Sequence, residues 1–326
     1  MLDNNQVGLK LAGSAKASLT SSTVFVRPGI GSLAASAVQQ AQLTVSGGTI
    51  SAGQSNCGTG ANGVLLRDAA RFTMNNGATF TNLMGTVVEI HETAKATLSK
   101  LAKIQRDFTG FAGCNPQGGV SAFDSTTLSL QNAQIVSTNG GKNAVGIFWG
   151  SRGSVSLDSS VIKGQTFGLY GPGNVKLVAS NTVFQFNFFG IDVDGPSPKI
   201  IILKSTVSNN GVGIRATGLL VRRTLITSNQ QTGVLLTGGS GNDLGVVADL
   251  GVNLIAANGI TGVGFDPKVT GGGVILAVGN SWNPVTQGTD GSGHYPVMTV
   301  LGTSTNPPVV GKNFFLPATA DFRIGL

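Results

Sequence analysis

Two carboxylates separated by a single residue, Asp192 and Asp194, have a spacing that could do chemistry. On a β-strand, residues i and i+2 lie on the same side, with roughly 6.5 Å between their Cα atoms. Glycoside hydrolysis needs two carboxylates about 5 to 9.5 Å apart, so this separation is permissive. Asp192 and Asp194 are therefore candidate catalytic residues, with Arg215 as a candidate cation beside them.

A second candidate is the acid–base pair formed by Glu89 and His91, again separated by a single residue. Histidine titrates near neutral pH, so this pair could transfer protons, and Arg67 would add a cation from the neighbouring repeat. The alternative is a surface pair with no chemical role, and we treat Glu89 and His91 as candidate binding residues. Two histidines and two distant cysteines fit no zinc spacing, so no metal site is predicted.

These residues lie in a repeat that runs along the chain. Each copy begins with glycine, then an apolar, a variable and a usually apolar residue, as in Gly146-Ile147-Phe148-Trp149 and Gly190-Ile191-Asp192-Val193. Two more short apolar alternations follow in each copy, and no segment shows a helical stripe. We therefore expect an all-β parallel β-helix of about ten turns of three short strands over residues 1–280, followed by a C-terminal cap over 281–326.

Stacked turns place equivalent outward residues in columns about 4.8 Å apart. One column brings Phe148, Tyr170, Asp192 and Arg215 together, which suits stacking on sugar rings and hydrogen bonding to hydroxyl groups. The alternative is that a loop covers the two rings and that Asp192 pairs with Arg215 for less than ~1 kcal/mol. The whole column reads Lys10, Leu65, Glu89, Ser121, Phe148, Tyr170, Asp192, Arg215, Leu235 and Gly264, and the next one includes Arg67, His91, Phe123 and Asp194.

Amide side chains recur three residues before the repeat glycine. Stacked amides can hydrogen-bond along the axis of a β-helix, and Asn tolerates left-handed backbone at a corner, so we predict a structural ladder. Its members would be Asn5, Asn143, Gln165, Asn187, Asn210 and Gln230.

The composition limits the class of partner. Glycine supplies 49 of 326 residues, and the 40% of hydrophobic residues allow a core. The net charge of +7 favours an anionic partner such as an acidic polysaccharide or a cell surface. Nucleic acid is not expected, because the basic residues are scattered, with Arg222-Arg223 and Lys100/Lys103/Arg106 as the only close groups.

Cys57 and Cys114 lie in the two longest gaps between repeats, where insertions are expected to leave the solenoid as loops. Two alternatives stay open: a disulfide between the loops, which would agree with an extracellular location, or two free thiols. No stretch is long and apolar enough for a membrane span. The lack of a cap before Gly8 leads us to expect that the native chain begins earlier.

On these repeats the chain resembles the pectin-lyase-like right-handed β-helices. The tail Gly279-Asn280-Ser281-Trp282-Asn283-Pro284 is also similar to the end of a poorly characterised family of secreted bacterial β-helix proteins. The resemblance implies hydrolases that add a histidine and a basic motif near their carboxylates, which neither His91 nor His294 supplies beside Asp192. It also implies lyases that hold Ca²⁺ with clustered Asp, so Ca²⁺ is a candidate cofactor.

Two readings follow. The first is an extracellular or surface β-helix that binds carbohydrate through Phe148, Tyr170, Asp192, Arg215, Glu89 and His91, or serves as a structural or adhesive module. The second is a polysaccharide lyase or glycoside hydrolase acting on an anionic glycan, with Asp192, Asp194 and Arg215 as working residues. The incomplete catalytic set favours the non-catalytic reading.

Overall fold

The computed structural model describes most of the chain. The described residues are 7–26, 32–52, 61–83, 85–107, 118–138, 144–150, 152–195, 198–238, 241–246, 248–259, 261–265, 274–277, 280–283, 295–300, 313–316 and 323–325. The chain divides into two compact units, Met1–Gly171 and Pro172–Leu326. In the described part of both units the regular structure is β-strand throughout.

The first unit contains nineteen strands in its described residues. They are β1 (Val7–Leu11), β2 (Lys16–Thr20), β3 (Thr23–Val26), β4 (Leu33–Ala37), β5 (Gln42–Ser46), β6 (Thr49–Ala52), β7 (Asn62–Leu66), β8 (Arg71–Asn75), β9 (Thr79–Thr81), β10 (Val88–Ile90), β11 (Lys95–Ser99), β12 (Lys103–Asp107), β13 (Val120–Ala122), β14 (Thr127–Gln131), β15 (Gln134–Thr138), β16 (Val145–Trp149), β17 (Ser154–Asp158), β18 (Val161–Lys163) and β19 (Phe167–Gly171).

The second unit continues the series in its own described residues. Its strands are β20 (Lys176–Ser180), β21 (Val183–Gln185), β22 (Phe189–Val193), β23 (Lys199–Leu203), β24 (Thr206–Ser208), β25 (Val212–Ala216), β26 (Leu219–Arg222), β27 (Leu225–Thr227), β28 (Thr232–Leu236), β29 (Asn242–Gly245), β30 (Leu254–Ala256), β31 (Thr261–Phe265), β32 (Val274–Ala277), β33 (Ser281–Asn283), β34 (Tyr295–Val300), β35 (Asn313–Leu316) and β36 (Arg323–Gly325).

Each unit is a parallel β-solenoid with three sheets. In the first unit every third strand pairs in parallel: the first sheet begins β1–β4–β7, the second β2–β5–β8 and the third β3–β6–β9. The second unit repeats this arrangement, for example β22–β25–β28 in its first sheet. The predicted parallel β-helix is therefore confirmed.

Alternation of side chains builds the core of each turn. In β14, Leu128 and Leu130 are completely buried, whereas the residues between and beside them face outward. Corners between the second and third sheets contain one or two residues with left-handed backbone, among them Lys100, Asn132 and Ser159 with φ near 50°. Gly48 has φ +76° and a Cβ there would lie 2.1 Å from the Ser22 carbonyl oxygen, so this corner requires glycine.

The predicted outward column is confirmed within each unit. In the first unit, Glu89 lies beside Leu65 on one side and Ser121 on the other, and Ser121, Phe148 and Tyr170 follow in register. In the second unit, Asp192 lies beside Arg215, and Arg215 beside Leu235. The repeat glycines thus gave the correct strand register.

The amide ladder exists in the second unit, but one predicted rung is wrong. Asn187 donates from its backbone N and its Nδ2 to Asn210 Oδ1, at 3.0 and 3.1 Å. Asn210 in turn donates to Asn229 and Asn229 to Asn258, all of them buried. Gln230, the predicted rung, is exposed. The corner before Gly233 contains one more residue than the corners before it, so counting back three positions misses Asn229.

A second ladder that the sequence did not indicate runs along another corner of the same unit. The backbone N of one residue donates to the side-chain oxygen of the equivalent residue one turn further on. This happens from Thr182 to Ser205, Ser205 to Thr224, Thr224 to Asn253 and Asn253 to Asn280. The acceptors of this ladder include hydroxyl groups as well as amides, so the sequence shows no uniform recurrence of amide residues at these positions.

Several predictions lie wholly or partly outside the described residues. Cys57, Cys114, His294, Asn5 and Asn143 are among these, so the disulfide alternative stays open. In the tail, β33 still pairs in parallel with β30, and β34 with β31. By contrast, β35 pairs in the antiparallel direction with β34, and β36 with β32. The cap over 281–326 and the family likeness of the tail stay predictions. Among the described residues no helix has the length and apolarity needed to cross a membrane.

Candidate functional site

Five partly exposed rings form a continuous track on the first sheet of the first unit. We call His91, Phe123, Phe148, Tyr170 and Phe167 the aromatic track. The ring centroids lie 4.8 Å apart for His91–Phe123, 5.6 Å for Phe123–Phe148, 5.9 Å for Phe148–Tyr170 and 5.0 Å for Phe167–Tyr170. Such offset and tilted contacts are favourable arrangements for aromatic side chains.

The parallel register of β10, β13, β16 and β19 positions these rings. Phe148 and Tyr170 are directly paired positions of β16 and β19, and Ser121 occupies the same position of β13. Because Ser121 is small, the Phe148 ring meets Phe123, which lies just after β13 and belongs to the neighbouring column. Beneath them Trp149 is fully buried and anchors the inward side of β16.

The acid–base pair Glu89 and His91 is part of this track. His91 Nε2 lies 2.7 Å from Glu89 Oε1, and the two side chains are 21% and 32% exposed. The imidazole also stacks on Phe123 with an interplanar angle of 13°. The pair therefore adds a hydrogen-bonding group at the end of an otherwise apolar set of rings.

A ladder of carboxylates borders the track at the corner that follows the first sheet. We call Asp68, Glu92 and Asp124 the carboxylate ladder; all three are exposed and have left-handed backbone. The backbone N of Gln39 donates to Asp68, that of Asp68 to Glu92 and that of Glu92 to Asp124, at 2.8 to 3.1 Å. Glu92 and Asp124 directly follow the track residues His91 and Phe123 in the chain.

The predicted catalytic residues form an ion cluster in the second unit. Arg215 Nη1 donates to Asp192 Oδ1 at 2.9 Å, and Arg215 Nη2 lies 3.6 Å from Asp194 Oδ2. The Asp192 side chain is 5% exposed, the Arg215 side chain 18% and that of Asp194 59%. The structure thus brings these three residues together as predicted, with the guanidinium engaged by both carboxylates.

The predicted binding surface that combines Phe148, Tyr170, Asp192 and Arg215 stays a prediction as a whole. Phe148 and Tyr170 belong to the first unit, and Asp192 and Arg215 to the second. Within the first unit the track extends instead through Phe123 to His91 and through Phe167 beside Tyr170. Phe123 lies in the second predicted column but is not among the candidate binding residues, and Phe167 is in neither column. The available signals are that Phe123 follows His91 in that column and that Phe167 lies three residues before Tyr170.

Two of the basic residues noted in the sequence, Arg106 and Arg222, are engaged by partners within the protein. Arg106 is completely buried and donates from Nη2 to Val145 O and Gln165 Oε1, at 2.7 and 2.9 Å, and burial lowers its pKa to about 9. In the second unit Arg222 is held by Asp243 and Asp249 at 2.8 Å each. Burial opposes the charge of Arg222, but the two carboxylates outweigh it and raise the pKa.

Two further features bear on ligands. A polar depression of about 450 Å³ lies in the first unit at the corner between the second and third sheets. It is lined by Ser99, Lys100, Gln131, Asn132, Asp158 and Ser159, with no aromatic platform. Within the described ranges, no three His, Cys, Asp or Glu side chains are grouped so that they could hold a metal ion. A role for Ca²⁺ stays a prediction.

Known proteins share the fold. Residues 118–264 match the family model described as right handed beta helix region. The crystal structure of the periplasmic alginate epimerase AlgG aligns over 93% of this chain and 78% of its own, with a TM-score of 0.57 and 12% identity. The A-module of the Azotobacter vinelandii mannuronan C-5 epimerase AlgE6 aligns over 91% and 92%, with 16% identity and a TM-score of 0.34, which is too low to carry an argument. No curated protein matches the sequence.

Together with the strand pairing, these matches define a right-handed parallel β-helix, as the resemblance implied. At 12% identity, the likeness to the epimerase establishes the fold and leaves the activity open.

Proposed function

We propose that the protein binds a polysaccharide through the aromatic track, outside the cell or at its surface, without transforming it. The observation that carries the proposal is the unbroken ring contact from His91 to Phe167 on partly exposed positions along one sheet. Soluble proteins bury most of their aromatic surface, so a linear series left partly open to solvent indicates a binding surface.

The chemistry of the track suits a sugar chain. Aromatic faces pack against the apolar faces of sugar rings, and rigid rings lose little conformational entropy on binding. Glu89 and His91 offer hydrogen-bonding groups for hydroxyls at the end of the track. That a protein of the same fold is named an alginate epimerase supports a polysaccharide as the type of ligand.

The enzymatic alternative rests on Asp192, Asp194 and Arg215. These residues do form a cluster, which favours keeping a lyase or hydrolase as the second candidate. However, the Arg215 guanidinium already contacts both carboxylates, so their negative charges offset much of its attraction for an anionic substrate. Burial of Asp192 also limits its contact with a polymer. Binding is therefore the better supported function.

Binding is tested on the full chain by affinity electrophoresis and calorimetry with a panel of neutral and uronate-containing polysaccharides, with Ca²⁺ and with a chelator. We expect retention by at least one polymer, which Phe148→Ala and Tyr170→Ala weaken. Phe25→Ala is the matched control, because Phe25 is 46% exposed on β3 of the third sheet. Equal loss in all three variants, or no retention at all, would overturn the proposal.

Catalysis is tested in the same incubations by the absorbance of unsaturated sugar ends and by reducing-sugar release. The binding function predicts that neither signal rises. Products that disappear in Asp192→Asn would instead establish the enzymatic alternative.

A further inference from the structure

We propose that the second unit carries a surface that docks onto a bilayer containing anionic phospholipid. This surface is a strip of aliphatic side chains on the second sheet, with basic side chains along both of its edges. It belongs to a different unit from the aromatic track, so it is a site in addition to the proposed glycan site and does not depend on it.

The aliphatic residues occupy outward positions of β20, β23 and β26. Val178, Ile201 and Leu220 are directly paired in register, and Val178 is 42% exposed. Their neighbours along each strand are buried, so these three side chains point away from the core. Leu203 is the next outward residue of β23 and is also partly exposed. We call these four residues the aliphatic strip.

The fold does not require apolar side chains at this position. In the first unit, the column formed by the middle residues of the second-sheet strands consists entirely of hydroxyl residues, paired in register over six strands. They are Ser18, Thr44, Thr73, Thr97, Ser129 and Ser156. An apolar patch that is open to solvent and rimmed by polar residues is typical of an interaction site, and the aliphatic strip has this character.

Basic side chains line both edges of the aliphatic strip. Lys176 and Lys199 are directly paired at the start of β20 and β23. At the other edge, Lys204 and Arg223 directly follow β23 and β26. All four are exposed. Because like charges on neighbouring strands repel, an anionic partner that lies across the strip relieves repulsion at both edges.

The carboxylates of the same unit do not neutralise these edges. The described residues within 172–265 include four carboxylates, and each of them contacts Arg215 or Arg222. They are Asp192, Asp194, Asp243 and Asp249. Asp243 ends the column after Leu220, where Arg222 binds its carboxylate. Six basic residues stand against these four, and the four edge residues form no ion pair with any described residue.

An anionic bilayer surface matches this chemistry better than a protein or a sugar chain does. Basic residues are attracted to anionic headgroups, and apolar side chains that enter the interface add to the affinity. A second copy of the chain would instead bring the basic edges together. A stable protein interface buries about 800 Å² on each side, more than four partly covered side chains offer. The strip also contains no aromatic ring that could stack on a sugar.

Binding is measured on the full chain by co-sedimentation with vesicles of phosphatidylcholine, alone or mixed with phosphatidylglycerol. We expect binding to the mixed vesicles, weakened by salt, and little binding to phosphatidylcholine alone. The double variant Val178→Thr/Ile201→Thr gives the strip the residue type of the first unit and should lower the partition coefficient about threefold or more. Lys176→Gln should lower it about fivefold.

Lys95→Gln is the matched control for charge. Lys95 is exposed and occupies the same strand position as Lys176, on the second sheet of the first unit, but its outward neighbour along the strand is Thr97. It should leave vesicle binding nearly unchanged, as should Tyr170→Ala in the aromatic track. An unchanged urea midpoint of the double variant shows that it folds.

No binding to the mixed vesicles, or equal losses in Lys95→Gln and Lys176→Gln, would overturn the inference. Full binding by the double variant would also contradict it, because adsorption would then depend on charge alone. A dimer in analytical ultracentrifugation that the double variant dissociates would assign the strip to a second copy of the chain instead. None of these results bears on glycan binding, which the variants of the aromatic track test separately.

Discussion

The imidazole of His91 stacks on the ring of Phe123, with centroids 4.8 Å apart and planes 13° from parallel. This contact joins a polar pair, His91 with Glu89, to a set of apolar rings on the following turns. It makes Phe123 the residue on which the continuity of the track depends, since Phe123 also contacts Phe148.

Phe123→Ala should therefore weaken glycan binding by about 1 kcal/mol or more, roughly fivefold in Kd, because it interrupts the rings in the middle. Calorimetry with the polymer selected above measures the change. Phe188→Ala serves as the control, since Phe188 is 51% exposed in the second unit. An unchanged Kd for Phe123→Ala would contradict the assignment of the aromatic track as the binding surface.

Asn229→Ala should destabilise the second unit, whereas Gln230→Ala should not. Asn229 accepts from Asn210 and donates to Val207 O and Asn258 Oδ1 inside the core, and its loss leaves these buried groups without a partner, at a cost of about 2 to 4 kcal/mol. Exposed Gln230 should change stability by less than about 0.5 kcal/mol. Urea unfolding followed by circular dichroism compares them; equal effects would contradict the ladder.

Arg222→Met should lower stability by about 2 kcal/mol, because it leaves the carboxylates of Asp243 and Asp249 without their shared cation. The cost is less than for a fully buried pair, since the Asp249 side chain is 64% exposed. Arg223→Met is the neighbouring control with an exposed side chain. If both variants unfold at the same urea concentration, the ion pairs of Arg222 with Asp243 and Asp249 contribute nothing to stability.

The buried Arg106 should make stability rise with pH in the alkaline range. Burial lowers its folded-state pKa to about 9, below the value in the unfolded chain. Above pH 9 the unfolded chain therefore binds a proton that the folded chain has released, and the contribution of this group to folding grows as pH rises. The stability difference between the wild type and Arg106→Met, measured from pH 7 to 10.5, should shift in favour of the wild type; a constant difference would show that Arg106 keeps its proton throughout.

Much of the fold was readable from local patterns. The glycine-centred repeat predicted the strands and their register, so that Glu89, Ser121, Phe148 and Tyr170 line up as expected. This succeeds because a parallel solenoid stacks equivalent residues at a constant spacing, and periodicity in the chain becomes proximity in space. The association of Asp192, Asp194 and Arg215 follows from the same rule.

Contacts between residues that do not follow the repeat spacing could not be predicted from the sequence. Asn229 replaces Gln230 in the ladder because one corner contains an extra residue, and only the folded backbone shows which amide turns inward. Nothing in the sequence distinguishes the buried Arg106 from the neighbouring basic residues Lys100 and Lys103, because its burial depends on how the turns stack.

For the candidate site, the sequence by itself determined which residues share a column, including Phe148 and Tyr170, and placed Glu89 two residues before His91. Only the tertiary structure decided that Phe123 crosses between columns and joins these groups into one track bordered by carboxylates. The physical reason is that a column fixes Cα positions, whereas ring contacts depend on side-chain direction and on the space left by a small neighbour such as Ser121.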